Sequence, residues 1–126
     1  MNRIVAAVAA VTVIGVVLAS VAVAAPRAAH PTLFGTVGKN NAFKIKLVDA
    51  HGKLVKTLPA GTYKVVIHDD SAQHNYELDG PNGKSWTFTS VGFTGTKTFT
   101  LKFAAGKYKA YCAPHESFMF QHFTVT

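Results

Sequence analysis

The sequence predicts an all-β fold, a Greek-key two-sheet β-sandwich of seven to eight short strands. Apolar and polar residues alternate along several segments, which is the period of a half-buried strand. Turn residues recur at short intervals between those segments. No stretch after Pro26 keeps a helical period over two turns. Short strands at this spacing pack as two sheets.

The expected elements follow in chain order. Phe43, Ile45 and Leu47 alternate with Lys44, Lys46 and Val48, giving a strand with one buried face. Asp49-Ala50-His51-Gly52 and Pro59-Ala60-Gly61 are turns. Thr62 to His68 is a strand with Tyr63, Val65 and Ile67 on one face. Asn75 to Leu78 is a short strand, closed by Asp79-Gly80-Pro81-Asn82-Gly83. Trp86 to Thr89 and Thr96 to Phe103 are the next two, the second alternating Thr and Lys with Phe99, Leu101 and Phe103. Ala104-Ala105-Gly106 turns the chain into Lys107 to Cys112. The last strand runs from Phe120 to Thr126, with Phe123 and Val125 inward and His122 outward.

Residues 1–24 read as an export signal. Met1-Asn2-Arg3 is a short positive start, Ile4 to Ser20 an apolar run, and Ala22-Val23-Ala24 a small-residue cleavage pattern before Pro26. The apolar run is also long enough to be an uncleaved membrane anchor. Residues 25–31 read as a linker, and 32–126 as one domain. The mature chain keeps 12 of the 13 basic residues and all six acids, a formal charge of +6. Such a charge favours acidic partners. The single cysteine, Cys112, rules out an internal disulfide and a cysteine-only metal cluster.

The chemistry lies in Tyr111-Cys112-Ala113-Pro114-His115-Glu116-Ser117-Phe118-Met119, with His74-Asn75 upstream. A thiolate, an imidazole and a thioether fall within eight residues, on a loop between the last two strands. A further imidazole sits in a loop between two others, and in a sandwich such loops cluster at one end. A soft thiolate, two imidazole nitrogens and a weak axial thioether suit copper cycling between Cu(I) and Cu(II). Other classes fit less well. A cysteine nucleophile needs its histidine base on a separate element. Structural zinc wants four nitrogen or sulfur ligands and no thioether. There is no phosphate-binding glycine loop and no pair of catalytic carboxylates. Nucleic acid is not an expected partner, because the aromatic residues alternate as core residues do.

The pattern Tyr-Cys-x-Pro-His followed shortly by Met119, with His74-Asn75 upstream, resembles the cupredoxins, the type I blue copper proteins, nearest plastocyanin, pseudoazurin and amicyanin. The loop here is Cys-x2-His-x3-Met; plastocyanin and pseudoazurin have four residues between His and Met, and amicyanin two. The resemblance implies a cupredoxin-like domain over 32–126 and one copper ion. Its ligands would be Nδ1 of His74 and His115, Sγ of Cys112 and Sδ of Met119. It further implies that Asn75 ties the two ligand loops together. Ala113, Pro114 and Phe118 would surround an exposed edge of His115, and Tyr111 would offer a second route to Cys112. The implied function is one-electron transfer by an exported monomer, periplasmic or extracellular and not an enzyme, to a redox partner with an acidic docking surface. Contact with a membrane arises only if the N-terminal segment is retained.

Two other functions compete with it: a copper carrier or buffer, and a metal-free scaffold or adhesion domain. Taken singly, the residues have plainer readings. Cys112 and Met119 are ordinary core residues in many sandwiches, and His74 is an ordinary loop histidine. Glu116 is the nearby oxygen donor that would replace Met119 as axial ligand. His30, His51 and His68 have no partner at ligand spacing.

Overall fold

The computed structural model describes residues 20–126. Most of the expected export signal therefore lies outside the described residues. Residues 20–31 are exposed and carry no regular structure. Among the described residues no helix is long and apolar enough to cross a membrane.

The expected sandwich is present, with nine strands among the described residues rather than seven or eight: β1 (Thr32–Val37), β2 (Ile45–Val48), β3 (Thr57–Leu58), β4 (Gly61–Asp69), β5 (Glu77–Asp79), β6 (Ser85–Thr87), β7 (Gly95–Phe103), β8 (Gly106–Tyr111) and β9 (Phe120–Val125). One sheet has the order β2-β1-β4-β7, the other β3-β9-β8-β5-β6. Both are mixed: β1 runs parallel to β4 and β3 parallel to β9, while the remaining pairs are antiparallel.

The strands the sequence reading lacks are β1 and β3. β1 does alternate, with Leu33, Gly35 and Val37 buried and Phe34 exposed. Its pattern is hidden because a glycine fills an inward position and a phenylalanine an outward one. Gly35 is required by packing: a Cβ there would meet Ile67 Cδ1 and, at 2.9 Å, the Tyr76 ring. β3 is two residues long and joins β9 only at its edge.

The strand expected from Phe43 begins instead at Ile45. A 3-10 turn over Lys39–Asn41 precedes it, with Gly38, Asn40 and Asn41 left-handed. Lys44 O accepts from Gly38 N at 3.1 Å and Lys44 N donates to Ala42 O at 2.8 Å. This tight turn lifts Phe43 out of the ladder and leaves it 52% exposed.

The inward faces meet in one core. Tyr108 stacks on Phe123 at 5.1 Å and takes Phe103 edge-on at 5.2 Å, geometries that aromatic pairs favour. Gln121 on β9 clamps the two sheets: its Oε1 accepts from Leu47 N at 2.7 Å, and its Nε2 donates to Val55 O at 2.8 Å. Phe123 and Val125 are buried and His122 is exposed, as the alternation requires.

Candidate metal centre

The loop after β8 closes on itself through its backbone. Cys112 N donates to Met119 O at 3.1 Å, His115 N to Cys112 O at 3.0 Å, and Met119 N to His115 O at 2.9 Å. Pro114 sits in the 3-10 turn Ala113–His115, where its missing N–H costs nothing. These bonds hold Cys112, His115 and Met119 on one small ring of chain.

His74 arrives from the loop between β4 and β5, where its N–H donates to Ser71 O at 3.1 Å. Gly38, left-handed at φ 69°, lies directly behind its ring. A Cβ on Gly38 would come within 2.6 Å of Ser71 Cβ and 2.9 Å of His74 Cδ2.

The donor atoms converge. Cys112 Sγ lies 3.6 Å from His74 Nδ1 and 3.5 Å from His115 Nδ1, and the two Nδ1 atoms are 3.1 Å apart. Potential ligand atoms of all three residues fall within 4.8 Å of one another. His74 and Cys112 are fully buried, and His115 is half-buried. A thiolate and two imidazoles aimed at one point fit a single copper ion. Met119 is buried on the same ring of chain.

Asn75 joins the loops. Its Oδ1 accepts from Ala113 N at 2.7 Å, its Nδ2 donates to Glu77 Oε1 at 2.9 Å, and its backbone N–H points at Cys112 Sγ, 3.5 Å away. Burial pushes the Cys112 thiol up from its ordinary value, while the N–H groups of Asn75 and His115 pull the other way. Burial also pushes the His74 imidazole down, reinforced by His115 and opposed by Asp69. In the metal-free protein the pocket thus favours a neutral imidazole and a protonated thiol. A metal cation reverses that preference at sulfur.

Phe43 has no place in the expected site, yet it covers it. Its ring meets His74 edge-on at 5.0 Å and His115 edge-on at 4.8 Å. Phe118, 61% exposed, lies 5.7 Å from His115 and 6.0 Å from Phe43. A groove of about 570 Å³ runs beside them, lined by Phe43, Phe118, Phe120, Lys39, Lys44 and Lys46 among others. Ala113 and Pro114 are exposed.

Tyr111 is buried, with its hydroxyl 3.4 Å from both Glu77 Oε2 and Asp79 Oδ1. Burial and the carboxylates of Asp79, Glu77 and Glu116 push its phenol up to about 12. Glu116 pairs with Lys109 at 2.7 Å. His68 bonds Thr96 at 2.8 Å, while His30 and His51 are exposed.

No family model matches the chain, and no curated protein matches it. Among solved structures it is similar to rusticyanin from Thiobacillus ferrooxidans, with TM-score 0.54 and 17% identity, covering 75% of this chain and 76% of that one. Reduced rusticyanin gives TM-score 0.50 and 17% identity over 75% and 78% of the two chains. A purple cupredoxin from Nitrosopumilus maritimus is matched at TM-score 0.42 and 19% identity, over 76% and 99%. Rusticyanin is a copper protein. The chain therefore has the cupredoxin fold, and the His74–Cys112–His115 cluster held between its loops fits one copper ion.

Proposed function

We propose that this protein is a type I copper protein that carries single electrons and is not an enzyme. The carrying observation is the convergence of the His74, Cys112 and His115 donors within 4.8 Å on loops locked by their own hydrogen bonds. Copper supplies the one-electron couple. His74, Cys112 and His115 would hold it, and the Met119 thioether on the same ring of chain would be a further, weaker sulfur donor. The closed backbone ring and the Asn75 bridge keep these residues in place in both oxidation states, so little rearrangement accompanies transfer.

Phe43 and Phe118 shield the histidines from water and leave an apolar surface for brief contact. Lys39, Lys44 and Lys46 beside it favour an acidic redox partner, steered at low salt. Ala113 and Pro114 complete the contact surface, and Tyr111 gives a second path to Cys112. The chain acts as an exported monomer, periplasmic or extracellular, after removal of residues 1–24.

Reduced protein separates this function from copper delivery. An electron carrier keeps Cu(I) against a competing chelator, and Phe118→Glu slows electron exchange with an acidic partner while leaving the visible band unchanged. Rapid loss of Cu(I), with exchange indifferent to Phe118→Glu, contradicts the electron-carrier reading and favours copper delivery.

A further inference from the structure

The turn from β1 to β2 carries no expected metal donor, yet it meets the donor residues at both its ends. At Gly38 the backbone packs so closely that a Cβ would lie 2.6 Å from Ser71 Cβ and 2.9 Å from His74 Cδ2. At Phe43 the ring meets His74 and His115 edge-on, at 5.0 Å and 4.8 Å. Phe43 is half exposed, while His74 and Cys112 are fully buried. The Phe43 ring therefore stands between water and the donor atoms, with Phe118 beside it at 6.0 Å. The groove lined by Phe43, Phe118 and Phe120 opens alongside.

A ring that faces water on one side gains only part of the packing energy of a core residue, so its place depends on the turn beneath it. Among the described residues, one side-chain hydrogen bond ties that turn to the loop of His74: Ser71 Oγ donates to Asn41 Oδ1 at 2.7 Å. Ser71 is buried and is a hub of the site. Its Oγ also accepts from Gln73 N at 3.3 Å, and its carbonyl accepts from His74 N at 3.1 Å. The turn bearing Phe43 and the loop bearing His74 thus meet at one residue. Asn41 is left-handed at φ 59°, a conformation asparagine takes more readily than most residues. Asn40, left-handed at φ 55° and exposed, is its match without that bond.

We propose that Phe43 is a gate over the donor cluster and the Ser71–Asn41 hydrogen bond its latch, so that small molecules and metal reach Cys112 when the turn swings aside. Ser71 and Asn41 are positioning residues, acting on the site through Phe43. The gate is a property of the metal-free protein; its control of copper entry rests on the copper reading above. Loops that close over a site govern access to it in this way. A closed gate lets a partner touch the apolar surface while it slows exchange of the metal itself.

Alkylation of Cys112, the single thiol of the chain, reads the gate in metal-free protein. Two neutral reagents are compared at one pH, iodoacetamide and the bulkier N-phenylmaleimide. The ratio of their rates cancels the fraction of thiolate, which affects both alike. Phe43→Ala is expected to raise the bulky reagent's rate more than the small one's. Asn41→Gly suits the left-handed backbone and removes the acceptor, so it is expected to raise both rates roughly two- to tenfold, the weight of one hydrogen bond. Asn40→Gly loosens the same turn and keeps the latch, and both rates are expected to stay as they are. Equal effects of Asn41→Gly and Asn40→Gly overturn the latch. An unchanged rate ratio in Phe43→Ala, or alkylation of the unaltered protein as fast as its unfolded chain, overturns the gate. Growth of the visible band on adding Cu(II) is expected to quicken in Phe43→Ala, and uptake no faster than in the unaltered protein overturns the extension to copper. A protein that shows the gate but takes up no copper would reject the copper reading and leave the gate standing.

Discussion

The side-chain oxygen of Asn75 accepts the backbone N–H of Ala113 at 2.7 Å, so the loop carrying His74 and the loop carrying Cys112 and His115 are one mechanical unit. The bond is buried on the Asn75 side and spans two loops 38 residues apart in sequence. Asn75→Ala removes that bond, whose net worth is about 0.5–1.5 kcal/mol because Ala113 is exposed and water can take its N–H. Denaturant unfolding of the metal-free protein is expected to register that loss. Unchanged stability would mean that the loops hold together without Asn75.

Gly38 and Gly52 make a matched pair. Both are left-handed, at φ 69° and 77°, but a Cβ on Gly52 meets nothing within 4 Å, while one on Gly38 meets Ser71 and His74. Gly52→Ala is expected to cost roughly 1 kcal/mol from backbone strain alone. Gly38→Ala is expected to cost more and also to weaken copper binding, because the His74 ring must give way. Copper titration of the two variants checks this, and equal copper affinity would place the Gly38 turn outside the site's support.

Alkaline pH is expected to loosen the metal-free fold. Burial raises the Cys112 thiol above 9.0 and the Tyr108 phenol above 10.0, and burial with neighbouring carboxylates carries Tyr111 to about 12. For acids raised in this way the contribution to stability is complete below the unfolded value and is lost as pH climbs through the folded one. Unfolding free energy should therefore hold level up to about pH 9 and then fall through the tyrosine range. Cys112→Ser should remove the earliest part of that fall. A stability profile flat to pH 11 would contradict the burial of these groups.

The cluster of His74, Cys112 and His115 is the most legible part of this chain. Cysteine, histidine and methionine are scarce residue types, and their order along the chain survives any detail of folding. The strands that alternate strongly are legible for the same reason that they are stable: β4 and β9 each bury one face, and β7 turns Phe99, Leu101 and Phe103 towards the core. What escapes a sequence reading depends on distant residues. Gly35 disguises β1 because Ile67 and Tyr76 occupy the space of its side chain. Phe43 alternates with lysines as a core residue would, and only the left-handed turn at Gly38, Asn40 and Asn41 turns it onto the histidines. Asp69 ends the inward face of β4 as a buried carboxylate, which the apolar alternation of Tyr63, Val65 and Ile67 does not announce.

The absorption spectrum of the mature chain after addition of Cu(II) tests the central claim most directly. With Cys112 thiolate bound to Cu(II), an intense visible charge-transfer band is expected, blue or green according to how strongly Met119 binds, and it should bleach on reduction. Cys112→Ser should abolish it, because the chain has no other thiol. Met119→Leu should keep the copper and raise the potential, since a thioether donor also favours Cu(II). A colourless protein after copper loading would contradict the type I assignment and leave a metal-free β-sandwich scaffold in its place.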